Sequence, residues 1–426
     1  MTVLISGAGI GGLSLALSLH QIGVPVQVFE SVQALQPLGV GINLQPHAVR
    51  ELFELGLANE LAAIGVRTAE VSYFSKHGKL IWSEPRGLAA GYNWPQFSVH
   101  RGKLQMLLYQ AVLERLGREA VHTGTTVGTW NETQNKLILQ LVDTASEEPC
   151  GTAEGALFIA ADGIHSTSRA QLYPHEGRPR WGGTVMWRGV TSAPSFLTGR
   201  TMAMSGIKAK KFVCYPITDS SNGQALINWI ADLSFPADYL WNREDWNRRG
   251  KLEDFLQEFA DWHFDWLDIP DLIRNAENVF EYPMVDRDPL PQWTHGRMTL
   301  LGDAAHPMYP IGSNGASQAV LDARILTREI AEKGMVPEAL EAYEADRRSA
   351  TSKIVLANRA DGPDKVLDVV EERAPEGFAT IEDILSHKEL EQTAQAYKQL
   401  AGFDVESLNA RPSIVRNGYP CIEDGA

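Results

Sequence analysis

Three stretches carry residues whose types and spacing suit ligand chemistry. The first is Leu300–Asp322, LLGDAAHPMYPIGSNGASQAVLD. Gly302, Pro307, Pro310, Gly312 and Gly315 crowd one loop that runs into a helix. Such a loop lets backbone approach a ligand, and the helix start offers unpaired N–H groups and about half a positive charge. That combination suits a polar or anionic ring edge. Asp303 ends the preceding strand and can accept from hydroxyl groups. The second stretch is Gly7-Ala8-Gly9-Ile10-Gly11-Gly12, set between an apolar run, Thr2–Ser6, and a helical pattern reaching Gln21. A further strand, Pro25–Phe29, ends at Glu30. This is the dinucleotide fingerprint in its strand, helix, strand, acid context. Gly7 permits the tight turn, Gly9 the approach of a pyrophosphate, Gly12 close helix–strand packing, and Glu30 can accept from ribose hydroxyls. An acid there fits FAD or NAD and disfavours a ribose 2′-phosphate. The bland alternative is an ordinary tight βα turn. The third stretch is Ala156–Ala161 entering Asp162-Gly163-Ile164-His165-Ser166-Thr167-Ser168-Arg169, a phosphate-friendly strand exit.

The elements between them must hold these exits together. Pro37–Leu44 is a second glycine-spaced loop, with Gly41 placed to bring backbone beside a flat ligand. Residues 47–65 read as helical, and Glu70–Ser83 as a hairpin turning at Lys76–Lys79. Leu104, Leu107, Leu108, Ala111, Val112 and Leu116 give an amphipathic helix that begins at Arg101. Arg101 could reach a phosphate there or stand as a solvated first-turn cation. Strands are expected at Val121–Trp130 and Lys136–Val142. Gly183–Val190, Thr201–Met204, Lys211–Tyr215 and Ala225–Ala231 predict an inserted antiparallel sheet carrying Trp187, Tyr215 and Trp229. Trp241, Trp246, Trp262 and Trp266 follow in residues that read as helical. These aromatics wall a substrate pocket or fill an interior. A charged helix is expected near Glu338–Asn358, and another near Thr380–Leu400.

The fold class is therefore α/β. A Rossmann-like cofactor domain spans 1–75, 98–178 and 285–360. A substrate domain of antiparallel strands spans 76–97 and 179–284, and 361–426 forms an acidic, partly helical C-terminal segment. That segment holds 14 acidic and 6 basic residues, more than half of the net charge of −15. The charge argues against nucleic acid or an anionic membrane as partner. Leu13–Leu19 is too short and too interrupted to span a bilayer. Cys150, Cys214 and Cys421 suit a reducing cytoplasm and form no metal-ligating set.

Taken together, GAGIGG with Glu30, ADGIHSTSR and LLGDAAHPMYPIGSNG resemble the single-component FAD-dependent aromatic monooxygenases of the para-hydroxybenzoate hydroxylase type, over residues 2 to about 360. PLGVGIN, WSEPRG, HRGKLQM, MWRGV, YPMVDRDPLP and NGASQA are similar to the phenazine-hydroxylating members. The resemblance implies a cofactor domain of the glutathione-reductase type. It implies that Gly7, Gly9, Ile10, Gly11, Gly12 and Glu30 hold the ADP half of FAD, and that Arg101 and Gln105 reach its ribityl–phosphate region. Asp162 and Gly163 match a motif linked to FAD and the nicotinamide nucleotide. Gly302 and Asp303 fall at the ribityl chain, Pro310 at the reactive ring edge, and Gly312, Ser313, Asn314, Gly315 and Ala316 at the pyrimidine edge. Asn314 stands where the family commonly has Gln. The implied reaction uses NADH or NADPH as transient cosubstrate and O2 as oxidant, through a flavin C4a-hydroperoxide, to hydroxylate a planar aromatic or N-heteroaromatic substrate. Pro310, Gly312 and Gly315 shape the reacting edge. Trp187, Tyr215 and Trp229 are candidate substrate walls, and Arg188 or Lys211 candidate partners of a substrate carboxylate. His47 and Tyr215 are candidate bases, and His306 is expected to be structural. A monomer or homodimer is expected. A flavin halogenase is disfavoured, because Phe264–Pro270 lacks that group's W-x-W-x-I-P pattern. A non-catalytic flavin-binding sensor remains the alternative that the acidic segment favours.

Overall fold

The computed structural model describes residues 1–236, 238–239, 248–359, 364–392 and 404–416. Trp241, Trp246, Cys421 and the second half of the helix expected near Thr380–Leu400 lie outside the described residues.

Leu157–Ala160 is an unbroken apolar run, and all four residues are buried. Burial on both faces is what a central parallel strand requires. It lies between Met298–Leu300 and Val3–Ser6, and the sheet continues through Val26–Glu30 to Val121–Thr123. All four pairings are parallel. Helix Ile10–Gln21 packs on this sheet with helices Arg101–Leu116 and Gly315–Lys333. The His100 side chain caps Arg101–Leu116 by accepting from the Lys103 N–H at 3.4 Å, and Gly117 ends it. The expected helix over 47–65 is two helices, Pro46–Glu54 and Ala58–Ile64.

The inserted sheet has seven strands, in the order Val279–Asp286, Arg180–Pro194, Gln224–Ser234, Lys210–Pro216, Thr201–Ile207, Glu70–Phe74 and Leu80–Pro85. It is antiparallel except where Thr201–Ser205 runs parallel to Glu70–Phe74. Glu70–Phe74 therefore belongs to this sheet and not to the cofactor domain, where the sequence reading divided the hairpin. Strand Val279–Asp286 was not expected, and neither was the exposed edge strand Pro149–Gly155 beside Leu137–Asp143. Trp262 follows the short 3-10 helix Leu256–Phe259 and Trp266 sits in the turn between strands His263–Phe264 and Leu267–Asp268, not in a long helix.

The C-terminal residues are docked on the body. Helix Lys365–Arg373, absent from the sequence reading, lays Val366, Leu367 and Val370 on the inserted sheet. Residues 404–416 return to the cofactor domain, where Ile414 and Val415 join its core and Arg50 donates to the Arg411 carbonyl at 2.8 Å.

Candidate flavin site and the sheet face opposite it

Because Met298–Leu300, Leu157–Ala160 and Val3–Ser6 are adjacent and parallel, the three glycine- and aspartate-bearing exits leave one edge side by side. Ligands of open α/β sheets bind at that carboxyl edge. Gly7 takes φ 99°, and a Cβ there would lie 2.4 Å from the Ala161 carbonyl oxygen, so the Gly7 and Asp162 exits touch. A Cβ on Gly12 would fall 2.0 Å from the Gly7 oxygen, which fixes its role in packing. At Gly9 a Cβ would meet no protein atom within 4 Å, leaving open space at the start of helix Ile10–Gln21. Ile10 opens that helix, and Gly11 packs where Leu301 and Ala319 would crowd a side chain. Glu30 accepts from the Ala8 N–H at 2.7 Å and the Val32 N–H at 2.9 Å, binding the second strand end to the glycine turn. Gln105 donates to the Ala8 carbonyl at 2.8 Å. Arg101, one turn earlier and exposed, holds its charge near Asp303.

Two carboxylates face this edge without full partners. Asp162 accepts from the Ser168 N–H at 3.4 Å through Oδ2, while its Oδ1 is sealed from solvent and takes no hydrogen bond among the described residues. Burial pushes its carboxyl up, and bonds from Ser166 and Ser168 oppose the push. An orphaned buried oxygen calls for a donor supplied from outside the chain. Gly163 beside it is open. Asp303 is solvent-accessible at the strand end, with protein packed closely around it. Enclosure pushes its carboxyl up, against the charges of His306 and Arg101. A ligand that excludes solvent from Asp303 strengthens that push. The residues present thus fit a dinucleotide with hydroxyl groups to donate.

The loop beyond Asp303 is fixed from below by a buried network. His306 and Asp322 bond at 2.6 Å, and Asp322 also accepts from the Gly302 N–H at 3.1 Å. Arg347 reaches the other Asp322 oxygen at 2.7 Å and Gln318 at 2.5 Å, and Gln318 donates to Asn314 Oδ1 at 3.1 Å. Burial works to raise the Asp322 pKa, but His306 and Arg347 hold it down to about 2. Asn314 is therefore buried, its Oδ1 accepting from Gln318 while its Nδ2 is sealed with no partner among the described residues. Ser313 adopts φ 54°, a strained value for a residue with a side chain, and Gln45 donates to the Gly312 carbonyl at 3.4 Å. Pro310 is exposed at the loop tip, and Gly315 and Ala316 begin the helix with unpaired first-turn N–H groups. Asp322, Arg347, Gln318 and Gln45 escaped the sequence reading. The signal for Asp322 was a charge inside the apolar run Ala319–Leu326.

The sheet register decides which inserted side chains face this loop. Met186, Met284 and Tyr309 form one buried cluster with Tyr282, Ile230 and Ile311 packed against it. Arg188 and Tyr215 share that face. Arg188 donates to the Gly41 carbonyl at 2.8 Å, its guanidinium carbon lies 5.9 Å from the Tyr282 ring centre, and its Nε is sealed without a partner among the described residues. Trp187 and Trp229 lie on the opposite face, so their assignment as substrate walls is corrected. Trp187 stacks on Phe255 at 4.9 Å, and Trp229 donates to Thr191 at 3.0 Å within a second core. Both faces of the sheet are buried, so alternation alone could not say which faced the ligand. Gly41 is also corrected. Its N–H donates to Asn228 at 2.6 Å and its carbonyl serves Arg188, so its backbone joins the domains and is not free for a ring. Lys211 is buried between Asp364 and Asp232 and is not open to substrate. Burial pushes the Tyr215 hydroxyl up to about 12 despite Arg188, and burial with Arg411 and Arg347 lowers His47 to about 3. Tyr215 is thus a donor at neutral pH, and His47 is a neutral ring in the cofactor domain core.

The sequence profile of the family described as FAD binding domain matches residues 1–358. The chain belongs to this family and, with it, to the flavoprotein aromatic monooxygenases. It is 46% identical over 361 residues to phenazine 1,6-dicarboxylic acid hydroxylase PhzS of Lysobacter antibioticus, covering 84% of this chain and 89% of that protein. It is 33% identical to aurachin C monooxygenase/isomerase of Stigmatella aurantiaca, covering 84% and 88%. Among solved structures, a variant of HpxO from Klebsiella pneumoniae complexed with FAD superposes with a TM-score of 0.70 at 25% identity, covering 94% of each chain. Among the described residues no helix is long and apolar enough to cross a membrane.

Proposed function

We propose that this chain hydroxylates a planar, carboxylate-bearing aromatic or N-heteroaromatic ring, taking electrons from NADH or NADPH and oxygen from O2. The carrying observation is the packing of Tyr309 and Ile311, which flank Pro310, against Met186, Met284 and Tyr282. It supports an apolar, water-poor surface between the loop tip and the sheet for a flat ring to lie on. The overall balance is ring C–H plus O2, NAD(P)H and a proton giving ring C–OH, NAD(P)⁺ and water. Bound FAD supplies the electron transfer from NAD(P)H and the activation of O2.

The chain's residues bind and orient. Glu30 and the Gly7–Gly12 turn hold the adenosine half, and Arg101 neutralises phosphate. Asp162 Oδ1 and Asp303 accept from hydroxyl groups of the cofactor. The first-turn N–H groups of the helix at Gly315 and Ala316 favour negative charge on the ring edge they face. Met186, Met284, Tyr282 and Ile230 exclude water from the reacting carbon. Arg188, with a sealed donor and no carboxylate bonded to it among the described residues, is placed to hold a substrate carboxylate. The resemblance to a phenazine dicarboxylate hydroxylase supports the same substrate class. Among the described residues none on this face is set up as a general base, which fits a ring already rich in electrons. A reducing cytoplasm and a monomeric or homodimeric state belong to this reading.

The purified protein should be yellow and should oxidise NAD(P)H faster when phenazine- or quinoline-type carboxylates are added, with one oxygen gained by the ring. Colourless protein that cannot be reconstituted with FAD would overturn the proposal.

A further inference from the structure

The mechanism leaves one buried ion cluster unused. Lys211 is enclosed by Asp232, at 3.5 Å, and by Asp364, bonded to it more closely. Burial alone would drive the ammonium toward its neutral form, and the two carboxylates reverse that. Asp232 Oδ1 and Asp364 Oδ1 are sealed without partners among the described residues. A cluster of this kind contributes little stability compared with apolar side chains of the same volume, yet it is strongly directional. Its geometry is therefore the informative part.

The cluster joins the substrate-facing sheet to the C-terminal segment. Lys211 sits opposite Asp232, Asp232 opposite Met186, and Met186 opposite Tyr282, so one row across the sheet runs from the cluster into the proposed pocket. Asp364 stands at the head of helix Lys365–Arg373, whose Val366, Leu367 and Val370 pack with Val213 and Tyr215 on that face. Ile230 packs both against this group and against the Met186, Met284 and Tyr309 group. One end of the face is thus covered by the flavin loop and the other by the C-terminal helix. Further bonds hold the segment, from Lys208 N–H to Asp368 at 2.8 Å and from Lys76 to Glu371 at 2.6 Å. The FAD binding domain match ends at residue 358, before Asp364 and the helix that follows it.

We propose that the C-terminal helix is the far wall of the aromatic pocket, and that Lys211, through Asp364, is the positioning residue that sets this wall and so the size of ring accepted. The proposal rests on the pocket placement given under Proposed function. It is tested with full-length, FAD-loaded protein carrying Asp364→Ala, using phenazine-1-carboxylate and the smaller quinoline-2-carboxylate. Misplacing a contact by about 1 Å can cost up to about 100-fold, so KM should rise by about tenfold for the ring that fits best. More NAD(P)H should be lost to hydrogen peroxide, while FAD content and substrate-free NAD(P)H oxidation stay at the wild-type level. Asp364→Glu should restore most of the coupling. Should Asp364→Ala fail to fold, the triple variant Lys211→Met, Asp232→Asn and Asp364→Leu, which removes all three charges of the cluster together, is read the same way. Unchanged KM, ring preference and coupling in a folded variant would overturn the proposal while leaving the function intact. A wild-type enzyme that holds FAD but shows neither faster NAD(P)H oxidation nor a flavin spectral change with either ring would overturn the function, and this proposal with it.

Discussion

The two sheets present their chemistry in different ways. The five-stranded parallel sheet offers its strand ends, so that Gly7, Asp162 and Asp303 emerge side by side at one edge. The seven-stranded sheet offers a face, where Met186, Arg188, Ile230 and Tyr215 line up across strands distant in sequence. An edge site is set by short local motifs, because each exit carries its own turn and acid. A face site is set by register, and one residue of slip exchanges the two faces. Cofactor recognition can therefore stay constant while ring recognition is altered by substitutions along alternate positions.

The sharpest way to break this comparison is at the buried network under the edge. Arg347→Ala strips buried Asp322 of one of its two charged partners, leaving His306 alone, and breaking such a buried pair costs up to about 3–5 kcal/mol. Denaturant unfolding should show that loss, together with loss of bound FAD, even though Arg347 has no place on the substrate face. On the face itself, Arg188→Met should weaken a carboxylated ring by about 1.5–3 kcal/mol, the worth of a charged hydrogen bond, with FAD affinity unchanged. Substrate titration monitored by flavin absorbance checks this. Equal loss for a ring without a carboxylate would make Arg188 a structural tie to Gly41. At the edge, Asp303→Ala should weaken FAD by about 1–3 kcal/mol while leaving the preference among substrates as it was. Fluorescence of released flavin measures the first and competition between rings the second.

A smaller effect comes from pH. The folded Asp322 carboxyl, at about 2, lies below its ordinary value of 3.8, so the folded state binds fewer protons than the unfolded chain in that window. Its contribution, about 2 kcal/mol, is fully present above about pH 4 and is lost as pH falls through about 2. Asp322→Asn should flatten the acid limb of stability measured by chemical unfolding. The smallest change expected is on the hidden face. Trp187→Phe should cost about 1 kcal/mol of stability and leave KM unaltered, because the indole stacks on Phe255 away from the loop. A raised KM there would reverse the assignment of the two faces.

The same contrast explains what the sequence disclosed. The exits at Gly7–Gly12, Asp162 and Asp303 were legible because a strand, a turn and an acid lie within a few residues of one another. Trp187 and Trp229 were misread because an aromatic strand buried on both sides has no polar face to orient it. Gly41 looked like free loop backbone, and only its distance from Asn228 and Arg188 shows that both its polar groups are taken. Arg347 and Asp322 are far apart in sequence and meet only when their helices pack. Lys211 and Asp364 are separated in the same way, which hid the docking of the acidic C-terminal helix.

The most direct test of the central claim is to supply the FAD-loaded enzyme with NADH or NADPH, isotopically labelled O2 and a planar aromatic carboxylate, and to weigh the recovered ring. The account predicts a ring bearing a single labelled oxygen, with substrate-stimulated consumption of reductant. Reductant and O2 consumed entirely into hydrogen peroxide, with every candidate ring recovered unlabelled, would contradict it.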